Sequence, residues 1–354
     1  MNNLSKYLTL LEEPGLGLLL TSRYSRHYGA QADIAEGVAI VTKAGCRYFT
    51  DSRYIEAAQK GISGFEVLEV NMHNSYTQRL LDAIRDFGIT ALGYEEHSMT
   101  AGELLRYQDT LGVKLIPMDG KINSFRSVKE PWELERMQKA QDITDEAFSK
   151  VLKRIHAGMT EKEVQAELIY CLYACGGEGL SFDPIVVSGP NTSLPHGVAT
   201  DRVIEAGDFI TMDFGVIWHG YCSDMTRTVA VGYATEEMKK VYDTVLKAQL
   251  AGIAAIRVGA TGQEVDGAAR KEIADAGYGE FFGHSFGHSL GLEVHENPGC
   301  SPRNPEPMAE NVVTSAEPGI YLPGKFGVRI EDVLIFKENG SENLTHSPKE
   351  LIII

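Results

Sequence analysis

The 354-residue sequence predicts a small α/β domain followed by a larger domain that is internally duplicated. Three observations predict it. Short apolar runs alternate with helical patterns over residues 1 to about 120, a polar link follows, and beyond it the chain repeats itself at an offset of 101 residues (236 − 135). Length agrees, because 354 residues exceed one typical core and make two domains the default expectation.

In the first domain, Leu-Gly-Leu-Leu-Leu (16 to 20), Val-Ala-Ile-Val-Thr (38 to 42) and Arg-Tyr-Phe-Thr (47 to 50) read as strands, and the stretches near 52 to 60, 75 to 87 and 100 to 111 read as helices. Asp51 and Arg53 read as a structural turn pair. The polar stretch 119 to 131 leads into an amphipathic helix whose apolar stripe is Trp132, Met137, Ala140, Ile143, Ala147, Val151 and Ile155. The domains are therefore expected at 1–122 and 123–354.

The duplication is seen by laying 135 to 164 over 236 to 265 without gaps. The identities include Met137/Met238, Asp142/Asp243, Ala147/Ala248, Gly158/Gly259, Thr160/Thr261 and Glu163/Glu264, where ordinary composition gives about two matches in all. Each copy reads as a long helix stopped at glycine and a second helix started by a Thr-x-x-Glu capping box. Each is followed by strands and then by one acidic hairpin.

In the first hairpin, Ile-Thr-Met-Asp-Phe-Gly (210 to 215) and Tyr-Cys-Ser-Asp-Met-Thr-Arg-Thr (221 to 228) flank a turn placed near Trp218-His219. That turn sets Asp213 opposite Asp224, with side chains about 5 Å apart. In the second hairpin, Glu317 and Glu331 are equidistant from Gly324. Like charges facing each other destabilise a hairpin unless a cation sits between them. Four carboxylates balance two divalent ions, and His288 adds one nitrogen to an oxygen-rich set. Such a set suits manganese, with cobalt or zinc as alternatives, better than a thiolate zinc site does.

The net charge of −16 argues against nucleic acid as a partner. The five cysteines are odd in number and lack a disulfide-framework spacing, as expected in a reducing cytoplasm. Cys171 and Cys175 read as reduced core thiols. No apolar run approaches 18 residues and the N-terminus lacks a signal-peptide pattern, so neither membrane insertion nor secretion is expected. The closing Leu-Ile-Ile-Ile (351 to 354) reads as a last strand.

Among the histidines, His196, His284, His288 and His295 lie in Gly- or Pro-punctuated stretches able to turn a ring into a cleft. His27, His73, His97, His219 and His346 read as surface or satisfied core residues. Gly283, Gly287 and Gly291 argue against a helical His284/His288 pair. Asp332 should point away from Glu331 and accept structural hydrogen bonds.

These stretches resemble the pita-bread metallopeptidases, which include methionine aminopeptidase, aminopeptidase P and prolidase. The resemblance covers most of the chain. It rests on Ser-Phe-Asp-Pro-Ile-Val-Val-Ser-Gly-Pro-Asn-Thr-Ser-Leu-Pro-His-Gly (181 to 197), Met-Asp-Phe-Gly (212 to 215), Ser-Asp-Met-Thr-Arg-Thr (223 to 228), Gly-His-Ser-Leu-Gly-Leu-Glu-Val-His-Glu (287 to 296), Glu-Pro-Gly-Ile-Tyr (317 to 321) and Arg-Ile-Glu-Asp (329 to 332). Phe-Thr-Asp-Ser-Arg-Tyr (49 to 54) resembles the creatinase-type N-terminal domain, which narrows the expectation to the proline-directed branch. The resemblance implies an α/β creatinase-like domain before an α+β pita-bread catalytic domain with pseudo-twofold duplication.

It further implies that Asp213, Asp224, His288, Glu317 and Glu331 hold two divalent metals, with Asp224 and Glu331 bridging, and that water is the nucleophile. Glu317 is expected to relay a proton to the departing nitrogen. His295 is expected to stabilise the oxyanion, His284 and His196 to border the substrate, and Arg329 to orient Glu331 and the peptide. The implied substrate is a peptide with proline second, and a homodimer is implied. Prolidases often carry an arginine after His-Glu-Xaa-Pro, where this chain has Gly299, so Xaa-Pro aminopeptidase activity is expected ahead of dipeptidase activity, with Arg303 a candidate replacement. A catalytically silent binding fold is the alternative from another class, although such relatives usually lose the ligands present here.

Overall fold

The computed structural model describes residues 3–354 and divides after Arg126 into two compact units, 1–126 and 127–354. In the first, β1 (Leu16–Leu20), β2 (Val38–Val41), β3 (Cys46–Asp51), β4 (Glu66–Val70), β5 (Ala91–Tyr94) and β6 (Lys114–Pro117) form one sheet in the order β4-β3-β2-β1-β5-β6. β2 lies antiparallel between β3 and β1, while the outer pairs β3–β4, β1–β5 and β5–β6 are parallel. The helices are α1 (Asn3–Thr9), α2 (Arg23–Ala30), α3 (Ile55–Gly61), α4 (Tyr76–Asp86), α5 (Ala101–Thr110) and α6 (Asp119–Ser124).

Strands β4, β5 and β6 and helices α1, α2 and α6 were not among the expected elements. The three strands are only four or five residues long, and each is paired in parallel with a strand far away in sequence, or with one that is itself so short; the three helices are six to eight residues long. Asp51 and Arg53 do pair, at 2.6 Å between Oδ2 and Nη2.

The second unit is built twice. In its first half α7 (Pro131–Val151) and α8 (Glu161–Ala174) cover β8, β9 and β12; in its second, α9 (Glu236–Ala255) and α10 (Gly262–Asp275) are followed by β13, β15 and β18. The strands are β7 (Gly179–Leu180), β8 (Ile185–Ser188), β9 (Phe209–Phe214), β10 (Val216–Trp218), β11 (Tyr221–Cys222), β12 (Met225–Ala230), β13 (Gly287–Ser289), β14 (Glu296–Cys300), β15 (Val313–Ala316), β16 (Gly319–Leu322), β17 (Phe326–Arg329), β18 (Asp332–Lys337) and β19 (Gly340–Asn343). The order β12-β9-β8 recurs as β18-β15-β13, antiparallel throughout, with β14 and β19 added at the edges of the second sheet.

The helix starts follow from local chemistry. Thr160 with Glu163 and Thr261 with Glu264 form complete capping boxes at the starts of α8 and α10. Gly158 and Gly259 take φ of 96° and 83° in the link between the paired helices, a conformation that costs glycine little. α7 stops a turn before its apolar stripe does, so Ile155 is buried from outside the helix. The final residues form a single bridge with Ala230, not a full strand: Ala230 N–H donates to Ile352 O and Ile354 N–H to Ala230 O, both at 2.9 Å.

Candidate metal centre

The two acidic hairpins have different registers. In the first, His219 and Gly220 take φ of 46° and 83° and form a two-residue turn that pairs Trp218 with Tyr221. Both central positions of this turn type need positive φ, and His-Gly supplies them one residue later than the Trp218-His219 centre expected from sequence. The whole register shifts by two. Asp213 therefore faces Thr226, not Asp224. Asp224 lies two residues before Thr226, diagonal to Asp213 on the same face, a spacing of about 7–8 Å before side chains reach inward.

Gly215 allows the strands to pass closely here, since a Cβ at that position would sit 2.0 Å from Ser223 O. α7 holds the same segment. Thr144 Oγ1 meets Ser223 Oγ at 2.7 Å, and Asp224 N–H donates to Gln141 Oε1 at 3.3 Å.

In the second hairpin, Gly319 pairs with Arg329 and Ala316 with Asp332, one register running through both ladders. Glu317 and Glu331 thus lie opposite each other in the break between them. Asp332 turns to the other face, where it accepts from Arg227 Nη2 at 2.8 Å and Asn343 Nδ2 at 2.9 Å and pairs with Lys349.

All five expected ligands line one cavity of about 780 Å³. Ligand atoms of Asp224, His288 and Glu331 lie within 4.8 Å of one another. His288 Nε2 is 3.6 Å from Asp224 Oδ2 and 3.4 Å from Glu317 Oε1. Thr226 Oγ1 donates to Glu331 Oε2 at 2.7 Å, and Ser315 Oγ to Glu317 Oε1 at 3.1 Å.

Such crowding of carboxylates is electrostatically unfavourable without a counter-charge. Burial and the neighbouring Glu331, Asp213 and Glu317 push Asp224 well above the usual carboxylate range. Burial, Glu317 and Asp213 do the same to Glu331. Burial also raises Glu317, with His284 and Arg329 opposing it. Asp213 Oδ1 and Asp224 Oδ1 are buried without a hydrogen-bond partner. Two unsatisfied oxygens, four carboxylates and an imidazole held neutral by burial form a donor set that fits hard divalent cations.

Arg329, expected to orient Glu331, reaches it through an intermediary and meets Asp213 directly. Its Nη2 pairs with Asp213 Oδ2 at 2.6 Å, and it reaches Glu331 only through Thr226, whose hydroxyl accepts from Arg329 Nε at 3.0 Å while donating to Glu331. On β17, Arg329 sits two positions from Glu331 but beside β12, so the first hairpin's aspartate is within its reach. Its other amino group donates to Tyr321 Oη at 2.9 Å and Pro195 O at 3.1 Å. Burial opposes the guanidinium charge, yet Tyr321, Asp213 and Glu317 hold its pKa well above the ordinary value.

Tyr321 and Thr226 were not foreseen. Tyr321 hydroxyl lies 2.8 Å from His284 Nε2, and burial pushes it up to about 12, so it stays protonated and donates to the ring. His284 Nδ1 lies 2.9 Å from Ser285 O, which assigns the proton to that nitrogen. Strand alternation carried the signal for both residues. Tyr321 has the parity of Glu317 and Thr226 that of Asp224, so each faces the same side as one of the cavity's carboxylates.

His295 packs its ring on His288 with centroids 4.4 Å apart, and burial and His288 lower its pKa. It is therefore neutral and able to donate a hydrogen bond at neutral pH. His196 and His284 also line the cavity, as do the apolar side chains of Phe182, Ile185 and Val294. Glu296 lines it too, its carboxylate tied to Lys129 Nζ at 2.9 Å. Arg303, exposed at the cavity wall, makes no side-chain ion pair among the described residues.

The model of metallopeptidase family M24 matches residues 135–338, and that of the creatinase/prolidase N-terminal domain matches residues 4–128. The chain is 42% identical over 353 residues to the uncharacterized peptidase YqhT of Bacillus subtilis, covering 99% of each chain. The crystal structure of an X-Pro aminopeptidase from Thermotoga maritima superposes with a TM-score of 0.94 at 38% identity, covering 100% of both chains. An Xaa-Pro dipeptidase from Bacillus anthracis superposes with a TM-score of 0.95 at 40% identity, covering 99% of both. The architecture is thus a creatinase-type α/β domain followed by an α+β pita-bread domain.

Proposed function

The chain belongs to metallopeptidase family M24 and is a metal-dependent hydrolase, and from that premise we propose that it cleaves the Xaa-Pro bond at the N-terminus of peptides. The observation that carries this reading is the convergence of two pseudo-equivalent acidic hairpins and His288 in a cavity also lined by His196, His284 and His295. Asp213, Asp224, His288, Glu317 and Glu331 would hold two divalent ions, manganese ahead of cobalt or zinc, because oxygen donors predominate. Bound there, such ions activate water and polarise the scissile carbonyl.

The protein's own groups do the rest. Glu317 takes the proton from the attacking water and passes it to the proline nitrogen as the bond breaks. His295, neutral beside His288, donates to the oxyanion. Arg329 holds Asp213 and, through Thr226, Glu331, which keeps both hairpins in one geometry. An Xaa-Pro bond has no N–H, so recognition must come from ring shape. Phe182, Ile185 and Val294, with His196 and His284, supply walls for the proline ring.

His295→Ala is expected to lower kcat by roughly 10²- to 10³-fold while raising KM much less. Steady-state rates on Ala-Pro-Ala check this, and an unchanged kcat removes His295 from the oxyanion role.

Dipeptidase activity is the second reading, favoured by Arg303. Gly299 contributes no charge to the cavity, but the Arg303 guanidinium stands at its wall free to meet a terminal carboxylate. On this reading Arg303→Ala raises KM for Ala-Pro roughly tenfold and leaves an amidated tripeptide within about threefold. Equal effects on both substrates would rule out carboxylate capture.

The test of the main reading is hydrolysis of Ala-Pro and Ala-Pro-Ala by metal-stripped protein before and after manganese is restored. Metal-dependent cleavage of the tripeptide alone marks an aminopeptidase and preference for the dipeptide a prolidase; no cleavage of either leaves a silent binding fold. We further propose a homodimer in the cytoplasm. The five cysteines are all unpaired, which suits a reducing compartment, and no helix among the described residues is long and apolar enough to cross a membrane.

A further inference from the structure

The loop that carries His196 hangs from one buried carboxylate. Residues 188 to 200 leave the end of β8, pass through a short 3₁₀ turn at Gly189–Ser193 and reach Thr200, and both ends return to Glu161 in the first turn of α8. Glu161 Oε1 accepts from Ser188 N–H at 2.7 Å, Ser188 Oγ at 2.8 Å and Asn191 Nδ2 at 3.0 Å. Its Oε2 accepts from Thr200 N–H at 2.9 Å and Thr200 Oγ1 at 2.7 Å. Glu161 itself is 0% exposed.

The loop's tip has little packing of its own. Leu194 and Val198, on either side of Pro195-His196, are 55% and 78% exposed. Order at the tip must come from its anchors, because a segment with few buried apolar contacts opens at low cost. The anchors nearer the tip are Arg329, donating to Pro195 O at 3.1 Å, and Gly327 N–H, donating to Thr192 Oγ1 at 2.8 Å.

The duplication isolates what Glu161 adds. The two capping boxes are alike at their threonine and N3 glutamate, but the residue between them that follows the threonine is Glu161 in the first copy and Gly262 in the second (262 − 161 = 101). A Cβ at Gly262 would lie 2.5 Å from Gly299 O, so no side chain fits there. Helix capping therefore does not require the glutamate. Its five hydrogen bonds all serve the loop that brings His196 to the cavity.

We infer that Glu161 is a positioning residue for substrate binding: by clamping both ends of the 188–200 loop it holds His196 over the site. The inference rests on the proposed contact between His196 and the substrate. Glutamine at this position keeps one acceptor oxygen and places an NH₂ group against donors, so at least one end of the loop is released. A looser loop must be ordered again when substrate binds, which weakens binding without touching the bond-breaking groups.

Glu161→Gln is expected to raise KM for Ala-Pro-Ala roughly tenfold, with kcat within about threefold and metal content unchanged. If Glu161 acts through His196, the double variant E161Q/H196A has the KM of H196A alone. Should E161Q fail to fold, Thr200→Val removes the hydroxyl bond to Glu161 Oε2, keeps the backbone N–H bond there, and is expected to raise KM a few-fold. A folded E161Q or T200V protein with wild-type KM overturns the inference, as do E161Q and H196A effects that multiply. H196A with wild-type KM overturns both the proposed contact and this inference; H196A impaired while E161Q and T200V behave as wild type overturns this inference alone.

Discussion

Glu317→Gln is expected to lower kcat at least about 10³-fold while leaving the fold intact. The glutamine is nearly isosteric, and its carbonyl can still accept from Ser315 Oγ, as Glu317 Oε1 does at 3.1 Å. What it cannot do is carry a proton from water to the departing proline nitrogen, or offer a charge to a cation. Stability should move the other way. In the metal-free protein Glu317 is buried among Asp213, Asp224 and Glu331, and its pKa is raised chiefly by that burial. Removing one negative charge from this cluster relieves repulsion, so metal-free E317Q should melt no lower than metal-free wild type. Steady-state kinetics and thermal melting of stripped and loaded protein read both effects. Turnover within tenfold of wild type would dismiss the proton relay.

Stripping the divalent ions is expected to reduce hydrolysis to background, and restoring manganese to recover it with release of protons. The direction follows from the carboxylates. Burial, together with the charges of neighbouring carboxylates, places Asp224, Glu331 and Glu317 above the ordinary carboxylate value of about 4. In the metal-free fold these groups bind protons more tightly than the unfolded chain does. The stability they contribute is present below about pH 4 and is lost as pH rises through their raised values. His284, His288 and His295, lowered by burial, act oppositely and lose stability as pH falls below about 6.5.

A cation entering the site displaces protons from the carboxylates but finds the imidazoles already neutral. In mildly acid solution this cluster should release more protons on binding a cation than carboxylates with ordinary pKa values would, because its own values are raised. Calorimetric titration with manganese in two buffers of different ionisation enthalpy counts them. Apparent affinity should rise with pH, and metal-loaded protein should melt higher than stripped protein. An identical heat in both buffers at mildly acid pH would contradict the raised carboxylates.

Local chemistry made much of this molecule legible from its residues alone. Pro323-Gly324 centred the second hairpin correctly, and Gly319 pairs with Arg329 as that centre requires, which sets Glu317 against Glu331. The capping boxes at Thr160 and Thr261 start helices where the 101-residue offset (261 − 160) placed them. Asp332 points away from Glu331 because strand alternation leaves it no choice. In each case the deciding interaction joins residues close in sequence.

The first hairpin's turn was a local signal too, but it lies one residue later than expected, at His219-Gly220, because the residues able to take positive φ, not the midpoint of two apolar runs, choose the turn; Asp213 and Asp224 thereby become diagonal neighbours. Tertiary structure decided the rest. Arg329 found Asp213, 116 residues away, and Tyr321 joined it to His284, because the packing of the two halves brings β17 beside β12. Periodicity shows which face of a strand a side chain occupies. Which buried cation meets which buried anion across that face depends on how distant sheets pack, and desolvation makes that choice strict, since a charge left unpaired there costs several kcal/mol.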